Sequence, residues 1–533
     1  MSARVRHSIA AGALVMTIAT IVVRVLGLVR WGVQASEVGS VGIAEPYAAA
    51  NVIPNLLFEV VAGGALAGAI VPLLAGPLVD RARERANLTI SAMLTWTVTV
   101  LTALGGLVAL LAPRIVDLIP RVGEGELSDL AAFFLTVFAV QLPLYGIGVV
   151  LTGALQAQRR FLWPALAPGF SSLVVIATYL RFGQLAGGAQ ATPGLVPDSA
   201  VQILAWGTTA GVAAMSLPLL IPCWGAGIRL RPQWRMPAGQ VRLFFGLAGA
   251  GVASLVAQQI SIGVTLVLVN DNGGPGAYPI WQYAQAVTMV IYGALAIPVA
   301  TSSFPALSEQ WSSGRRARFD DTASSSLQMM TVVCVGGAAA VAAAAGPIEA
   351  FFGFTAGGVA GMATAVRWLG IAIVPISLNF YLGRVLYAAR APRAGAAGTV
   401  TGWLVAAFLP IVAVRLVQSG NSDEAFAAVA ASSAIGLALG TVVLLMSVRA
   451  KLGIAALRGF ARVLVATALA GAGGYLLALL VTPTTHEMTV LTGATWTVAI
   501  GGGVGLACAG VGLWTARGAL RAFLRPAPLR EEP

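Results

Sequence analysis

Apolar runs of twenty or more residues recur along the whole chain, and nothing else constrains its fold as strongly. About 20 residues at 1.5 Å each span a bilayer's hydrocarbon core, roughly 30 Å thick. Hydrocarbon offers no partner for a backbone N–H or C=O, so runs of this kind must pair their own amides as helices. Hydrophobic residues make up 58% of 533 positions and charged residues 10%, with a mean hydropathy of +0.86. The pattern predicts an all-α polytopic membrane protein with about 14 transmembrane helices. They fall at residues 9–33, 41–76, 87–112, 129–152, 163–182, 200–226, 242–269, 279–305, 323–345, 360–387, 396–417, 425–448, 461–481 and 490–515, numbered here spans 1 to 14. The first run is longer than a secretory signal's apolar region and has no small-residue cleavage site, so no cleavable signal is expected.

The net charge of +12 would suit a nucleic-acid binder, but its distribution argues for topology instead. Alternate connections carry Arg4 and Arg6, the clusters at 81–85, 159–160, 229–242 and 315–318, Arg390 and Arg393, the cluster at 449–462 and the C-terminal arginines. Together these hold 24 of the 32 basic residues. The opposite connections hold Arg114, Arg121, Arg181, Arg367 and Arg415 beside acids such as Glu124, Glu126, Asp198 and Asp423. Cytoplasmic loops are the basic ones, so both termini are expected in the cytoplasm of a bacterial cell, with the chain in its inner membrane. The basic faces would meet anionic lipid headgroups, and no nucleic-acid partner is expected.

Span 1 breaks its own apolar pattern with Arg24 and Arg30. A guanidinium stays charged at any relevant pH and costs at least ~2.5–3.5 kcal/mol near the bilayer centre. Such residues usually face a wet cavity or a bundle interior, and a wet cavity with positive charge suits an anionic ligand. Six residues separate them, about 9 Å along the helix and ~120° around it, so they suit a broad cavity rather than one stripe. Snorkelling or pairing with an acid is the structural alternative for each.

Other chemistry is sparse. Cys223, Cys334 and Cys508 have no CxxC spacing and read as packing residues; His7 and His486 lie near opposite ends of the chain. Neither a metal site, a cofactor nor a catalytic constellation is expected, so the chain does not read as an enzyme. The glycine groups at 64–68, 471–474 and 501–505 lie inside apolar runs and read as close helix contacts rather than nucleotide loops. A weak repeat links Leu155-Gln156-Ala157-Gln158-Arg159 to Leu386-Tyr387-Ala388-Ala389-Arg390, offset by 386 − 155 = 231 residues. Pro72-Leu73-Leu74 and Pro305-Ala306-Leu307 are offset by 305 − 72 = 233. Spans 1–6 and 7–12 therefore read as duplicated halves of like orientation, a plan in which transporters place substrate near the midplane. The expected divisions are an N-lobe at 1–228, a C-lobe at 229–420 and 421–450, and spans 13–14 with a short tail at 451–533.

Several short motifs, in this order, resemble one family. Arg24-Val25-Leu26-Gly27-Leu28-Val29-Arg30 is similar to the span-1 signature of the MurJ/MviN lipid II flippases. Ala44-Glu45-Pro46-Tyr47, Ile53-Pro54-Asn55-Leu56-Leu57, Gly64-Ala65-Leu66 with Val71-Pro72, and Gly153-Ala154-Leu155-Gln156-Ala157 resemble its following motifs. Tyr283-Ala284, Phe304-Pro305-Ala306-Leu307-Ser308 and Arg384 with Tyr387-Ala388 resemble those of spans 8 and 10. The resemblance implies two six-helix lobes around a cavity, two added helices for a long lipid tail, and alternating-access transport of undecaprenyl-diphosphate-linked peptidoglycan precursor. It assigns substrate contact to Arg24 and Arg30; Glu45, Asn55, Glu59, Gln285 and Arg384 complete the expected site, with pairing to an arginine or proton carriage as further readings of Glu59 and snorkelling or helix capping as those of Arg384. Where the family carries arginines in spans 2 and 8, this chain has Phe58 and Gln285; the span-2 glutamate is Gly63, with an acid at Glu59 instead. Spans 7 and 11 hold no Asp or Glu, so the sodium site of some members is not carried over. This reads as a divergent branch with a less positive cavity.

The implied partners are lipid II, the surrounding membrane lipids and, on the protein side, cell-wall synthases or regulators. The rival readings are a related polysaccharide-lipid flippase or multidrug exporter, and a non-transporting cell-wall scaffold. An exporter of cations should prefer intramembrane acids to Arg24 and Arg30. The topology is directly testable. Cysteines replacing Arg83 and Arg316 should label from the cytoplasm, and cysteines replacing Glu124 and Asp423 from outside. Labelling of either pair from the other side would reject the span assignment.

Overall fold

The computed structural model describes residues 3–60, 83–158, 160–235, 240–355, 357–417, 421–483 and 488–524. Gly63, the glycine group at 64–68, Pro72, Arg159 and His486, all singled out above, lie outside the described residues. Helix is the regular structure throughout, with no strand among the described residues. Among the described residues, twelve helices are long and apolar enough to cross a membrane, from Ala86–Leu110 to Val490–Thr515, and they match spans 3 to 14 one for one. Helix Ala3–Glu37 occupies the place of span 1, and Ala44–Phe58 that of the first half of span 2. The chain is a multi-pass membrane protein.

Observed helices overrun the apolar runs because their end turns are polar and hydropathy does not register them. Span 12 extends from the expected 425–448 to Ser422–Leu452. The Asn421 side chain accepts the Glu424 N–H at 3.0 Å and so caps the first turn. Asp423 and Glu424 sit in that first turn and Arg449 and Lys451 in the last, which is the charge order the helix dipole favours.

The described chain forms two compact units. One comprises residues 1–271, 275–279 and 355–358; the other comprises 272–274, 280–354 and 359–533. Within the first, span 1 packs on span 5, span 5 on span 6, and span 4 against spans 2 and 3. The linker after span 6 is strapped to span 3. Ser91 and Thr95 hydroxyls accept the Arg231 and Gln233 N–H groups at 3.1 and 3.0 Å, and the Trp96 indole donates to the Trp234 carbonyl at 2.9 Å. Extended backbone that has no strand partner is thus satisfied by side chains.

Within the second unit, span 9 packs on spans 10, 13 and 14, and spans 11 and 12 make the most extensive helix pair. Glycine explains that pair. A Cβ on Gly436 would lie 2.3 Å from the Ala406 nitrogen, and one on Gly440 would lie 2.6 Å from the Gly402 Cα. The two backbones touch, with Gly436 and Gly440 four apart on one helix and Gly398 and Gly402 four apart on the other. The glycine-rich spans 13 and 14 divide differently: Gly471 and Gly474 meet neighbours, whereas Gly473, Gly502 and Gly503 face open space. Spans 13 and 14 also expose Leu469, Leu476, Leu480, Leu491 and Val498, as lipid contact requires.

Two irregular turns recur at matching places. The span-2 helix passes into a π turn at Glu59–Val60, and span 8 holds one at Tyr292–Ala296. Their starts are offset by 292 − 59 = 233 residues, the same as the Pro72 and Pro305 repeat.

Gly436→Val should destabilise the protein by about 1–3 kcal/mol, the range for forced overpacking. Gly473→Ala should leave stability unchanged or slightly raised, since alanine favours helix. Melting in detergent compares them, and an unchanged midpoint for Gly436→Val would show that the backbones do not touch there.

Candidate functional site

The first unit holds five of the seven expected contact residues. Arg24 projects from span 1 among exposed Ile21, Val25 and Leu28, and it has no hydrogen-bond or ion-pair partner among the described residues. Arg30, most of two turns further on, is half-buried and packs its guanidinium over the Trp31 ring, 4.9 Å from the centroid. Its charge also acts on the Tyr179 phenol of span 5. The difference in exposure follows from their ~120° separation around the helix.

Tyr179 belongs to a buried polar chain that joins four spans. Its hydroxyl donates to Gln34 Oε1 of span 1 at 3.0 Å and lies 2.8 Å from the Tyr47 hydroxyl of span 2. Tyr47 lies 3.1 Å from the Thr208 hydroxyl of span 6. Phe134 and Phe138 of span 4 hold the Tyr47 ring edge-on, both with centroids 5.7 Å away. Tyr47 stood in a motif quoted above, but nothing in the sequence linked it to Tyr179, Gln34 or Thr208.

Glu45 is buried at the N-terminal end of span 2. The backbone N–H groups of Gly42 and Gly276 and the charge of Arg121 act on its carboxylate. Gly42 has φ +67°, and a Cβ there would lie 2.3 Å from the Gln190 carbonyl oxygen, so only glycine fits this turn. Its place beside these amides makes Glu45 a clasp for this turn. Asn55 bonds back to the Asn51 carbonyl at 2.7 Å, inside its own helix.

Glu59 is exposed at the start of the π turn, and both it and Arg30 act electrostatically on the Tyr145 phenol of span 4. The structure therefore gathers Arg30, Glu59 and Tyr145 into one neighbourhood without forming an Arg30–Glu59 ion pair. Phe58, where the family motif has arginine, stacks on Tyr145 at 4.5 Å. The two rings wall a cavity of about 340 Å³ also lined by Thr152, Gln156, Met215 and Leu219. Among the described residues that lining carries no charged side chain, so this wall suits an apolar occupant and not a diphosphate.

The remaining two residues lie in the second unit. Gln285 is half-buried on span 8, and its backbone carbonyl accepts the Thr288 hydroxyl at 2.9 Å. Arg384 on span 10 lies over the Phe380 ring at 4.3 Å and near the Phe304 ring at 5.7 Å, with Tyr292 of the π turn acting on its charge. Cation–π contact holds this guanidinium without a carboxylate. Asn379, a further polar residue of this span, donates to the Leu437 carbonyl at 3.1 Å and accepts from Thr441 at 3.0 Å, and so ties span 10 to span 12. Two ion pairs occur among the described residues, Arg315–Glu309 and Arg458–Asp321, and both are largely exposed.

Comparison with known proteins gives concordant results. The family model described as Lipid II flippase MurJ matches residues 35–494. A probable lipid II flippase MurJ from Synechocystis is 29% identical over 266 residues, covering 50% of this chain and 47% of that one. One from Thermotoga maritima is 26% identical over 304 residues, covering 56% and 57%. The chain spans about half the length of the curated relatives it matches. Among solved structures, a lipid II flippase MurJ in an inward closed conformation superposes with a TM-score of 0.73 at 18% identity, covering 96% of this chain and all of that one. An inward-facing multidrug transporter of the MATE family, in the MOP superfamily, gives 0.64 at 14% identity, covering 82% and 98%. At these identities the structural matches establish the fold.

Phe58→Arg should lower membrane levels and melting temperature more than Phe58→Ala, because it sets a guanidinium into an apolar wall. Adding Glu59→Gln should deepen the Phe58→Arg defect, since it removes the adjacent carboxylate. A Phe58→Arg protein as stable as wild type would remove the assignment of this wall as apolar packing.

Proposed function

The chain belongs to the lipid II flippase MurJ family, and from that premise we propose that it carries undecaprenyl-diphosphate-linked peptidoglycan precursor across the bacterial inner membrane. The headgroup passes along the polar path that includes Arg24 and Arg30, while the isoprenoid chain stays in lipid beside spans 13 and 14. The lobes at 1–228 and 229–450 alternate access to the two faces, and both termini remain cytoplasmic. The full set of fourteen spans is part of this reading. Binding and release need no covalent chemistry.

One observation carries the proposal: neither Arg24 nor Arg30 is neutralised by a carboxylate among the described residues. An unpaired guanidinium in an apolar span is costly unless water or an anionic ligand meets it. A diphosphate suits the need, since arginine's fork donates to phosphate oxygens in pairs. A cation exporter would gain nothing from this arrangement. Arg384, held by aromatic rings, keeps its charge for an anion in the same way. Glu45, Asn55 and Gln285 remain proposed substrate contacts, although Asn55 already has a hydrogen-bond partner within its own helix. Phe58, stacked on Tyr145 in place of an arginine, supports the second reading, a cell-wall scaffold that no longer transports.

Arg24→Ala should abolish growth when it is the sole copy in a depletion strain, with membrane levels near wild type. Arg24→Lys should restore function in part, because an ammonium keeps the charge but not the fork. Depleted cells should accumulate lipid-linked precursor on the cytoplasmic leaflet. Normal growth of Arg24→Ala at matched expression would leave the anion-binding role without support, and depletion without accumulation would favour the scaffold.

A further inference from the structure

We infer that the segment after span 6, strapped to span 3, binds the headgroup of an anionic phospholipid, with Arg229 and Arg231 as its phosphate donors and the Trp96–Trp234 pair marking its inner edge. Nothing in this depends on what Arg24 and Arg30 bind.

The strap is fixed along one face of span 3. The last helix of span 6 ends at Gly225, and Gly227, with φ +78°, turns the chain in a conformation that glycine adopts without cost. Asn87 Nδ2 donates to the Gly227 carbonyl at 3.4 Å, the Ser91 hydroxyl accepts the Arg231 N–H at 3.1 Å, and the Thr95 hydroxyl accepts that of Gln233 at 3.0 Å. Asn87, Ser91 and Thr95 are four apart and form one row, about 12 Å long. Burial alternates along the strap as it does in an extended chain. Ile228 is buried and Leu230 partly so, both packed on the core of spans 3 to 6, whereas Arg229 and Arg231 are exposed.

Charge and level identify the ligand. Neither arginine pairs with a carboxylate among the described residues, where both ion pairs involve other groups. Two residues of extended chain separate their Cα atoms by about 7 Å, so both guanidinium forks can close on one phosphate. The Trp96 indole donates to the Trp234 carbonyl at 2.9 Å, and the two rings meet edge to face at 5.2 Å. Both rings stay open, at 47% and 55% exposure. Exposed indoles on a spanning helix sit where headgroups meet hydrocarbon. Arg229 and Arg231 lie between that pair and the Arg83 end of the helix, which places them at phosphate level. A basic pair beside an indole belt fits a lipid of the leaflet rather than a soluble anion.

Purified full-length protein in a neutral detergent tests this, with short-chain phosphatidylglycerol as the probe and phosphatidylcholine of the same chain length as the zwitterionic control. Phosphatidylglycerol should bind the wild type more tightly. Arg229→Gln and Arg231→Gln should each weaken its binding about fivefold, the contribution of one cation at an anionic surface, and leave phosphatidylcholine unaffected. Arg393→Gln removes an equal charge from an exposed position outside the strap and should change neither affinity. Trp96→Phe keeps the net charge and a ring but loses the N–H that holds Trp234, and it should weaken phosphatidylglycerol about two- to fivefold. It serves as the second probe if the arginine variants do not fold. Equal wild-type affinity for the two lipids, equal losses in Arg231→Gln and Arg393→Gln, or an unchanged affinity in Trp96→Phe would each overturn the inference. Tighter binding of undecaprenyl diphosphate than of phosphatidylglycerol, lost with Arg229→Gln and Arg231→Gln, would give the site to the transported lipid and overturn it too.

Discussion

Hydrocarbon satisfies no hydrogen bond, and the structure follows from that single fact. Helices close the backbone within each span. Where the chain leaves regular structure, side chains take over, as Ser91 and Thr95 do for the linker and Asn421 for the first turn of span 12. The polar side chains within the lobes obey the same rule: Asn379 with Thr441 and Gln34 with Tyr179. Against this background an arginine without a carboxylate stands out, because it breaks a rule that its neighbours keep.

Two guanidiniums are held without acids, each by different chemistry. Arg30 has an indole face beneath it, and its charge acts on a phenol. Arg384 has two phenylalanine rings within cation–π range. In both cases the protein supplies shape and weak electrostatics while the charge itself stays uncompensated, which is the condition for an anion to bind rather than be excluded.

Much of the fold was legible because the bilayer imposes a length and a polarity on every span. Spans 3 to 14 could be placed from hydropathy alone, and errors fell at polar end turns such as Ser422–Asp423. The helix contacts were less legible. Gly473 and Gly436 look alike in sequence, yet one faces open space and the other touches the Ala406 backbone. Which glycine lies inside depends on the rotation of its helix, and spans that are apolar all round carry no periodic signal to set that rotation. The site was legible as charge, in Arg24 and Arg30, and illegible as a network. Tyr47, Tyr179 and Thr208 lie far apart along the chain, and each alone looks like an ordinary helix residue.

The paired π turns at Glu59–Val60 and Tyr292–Ala296 have a mechanical consequence. A π turn carries one residue more than the helix around it, so its backbone bonds are longer in register and easier to exchange. Migration of that surplus residue by one position would turn only the residue it passes, by ~100° about the helix axis, without unfolding the helix. The two π turns thus stand 233 residues apart, one beginning at the acid Glu59 and the other at Tyr292, whose phenol meets the charge of Arg384.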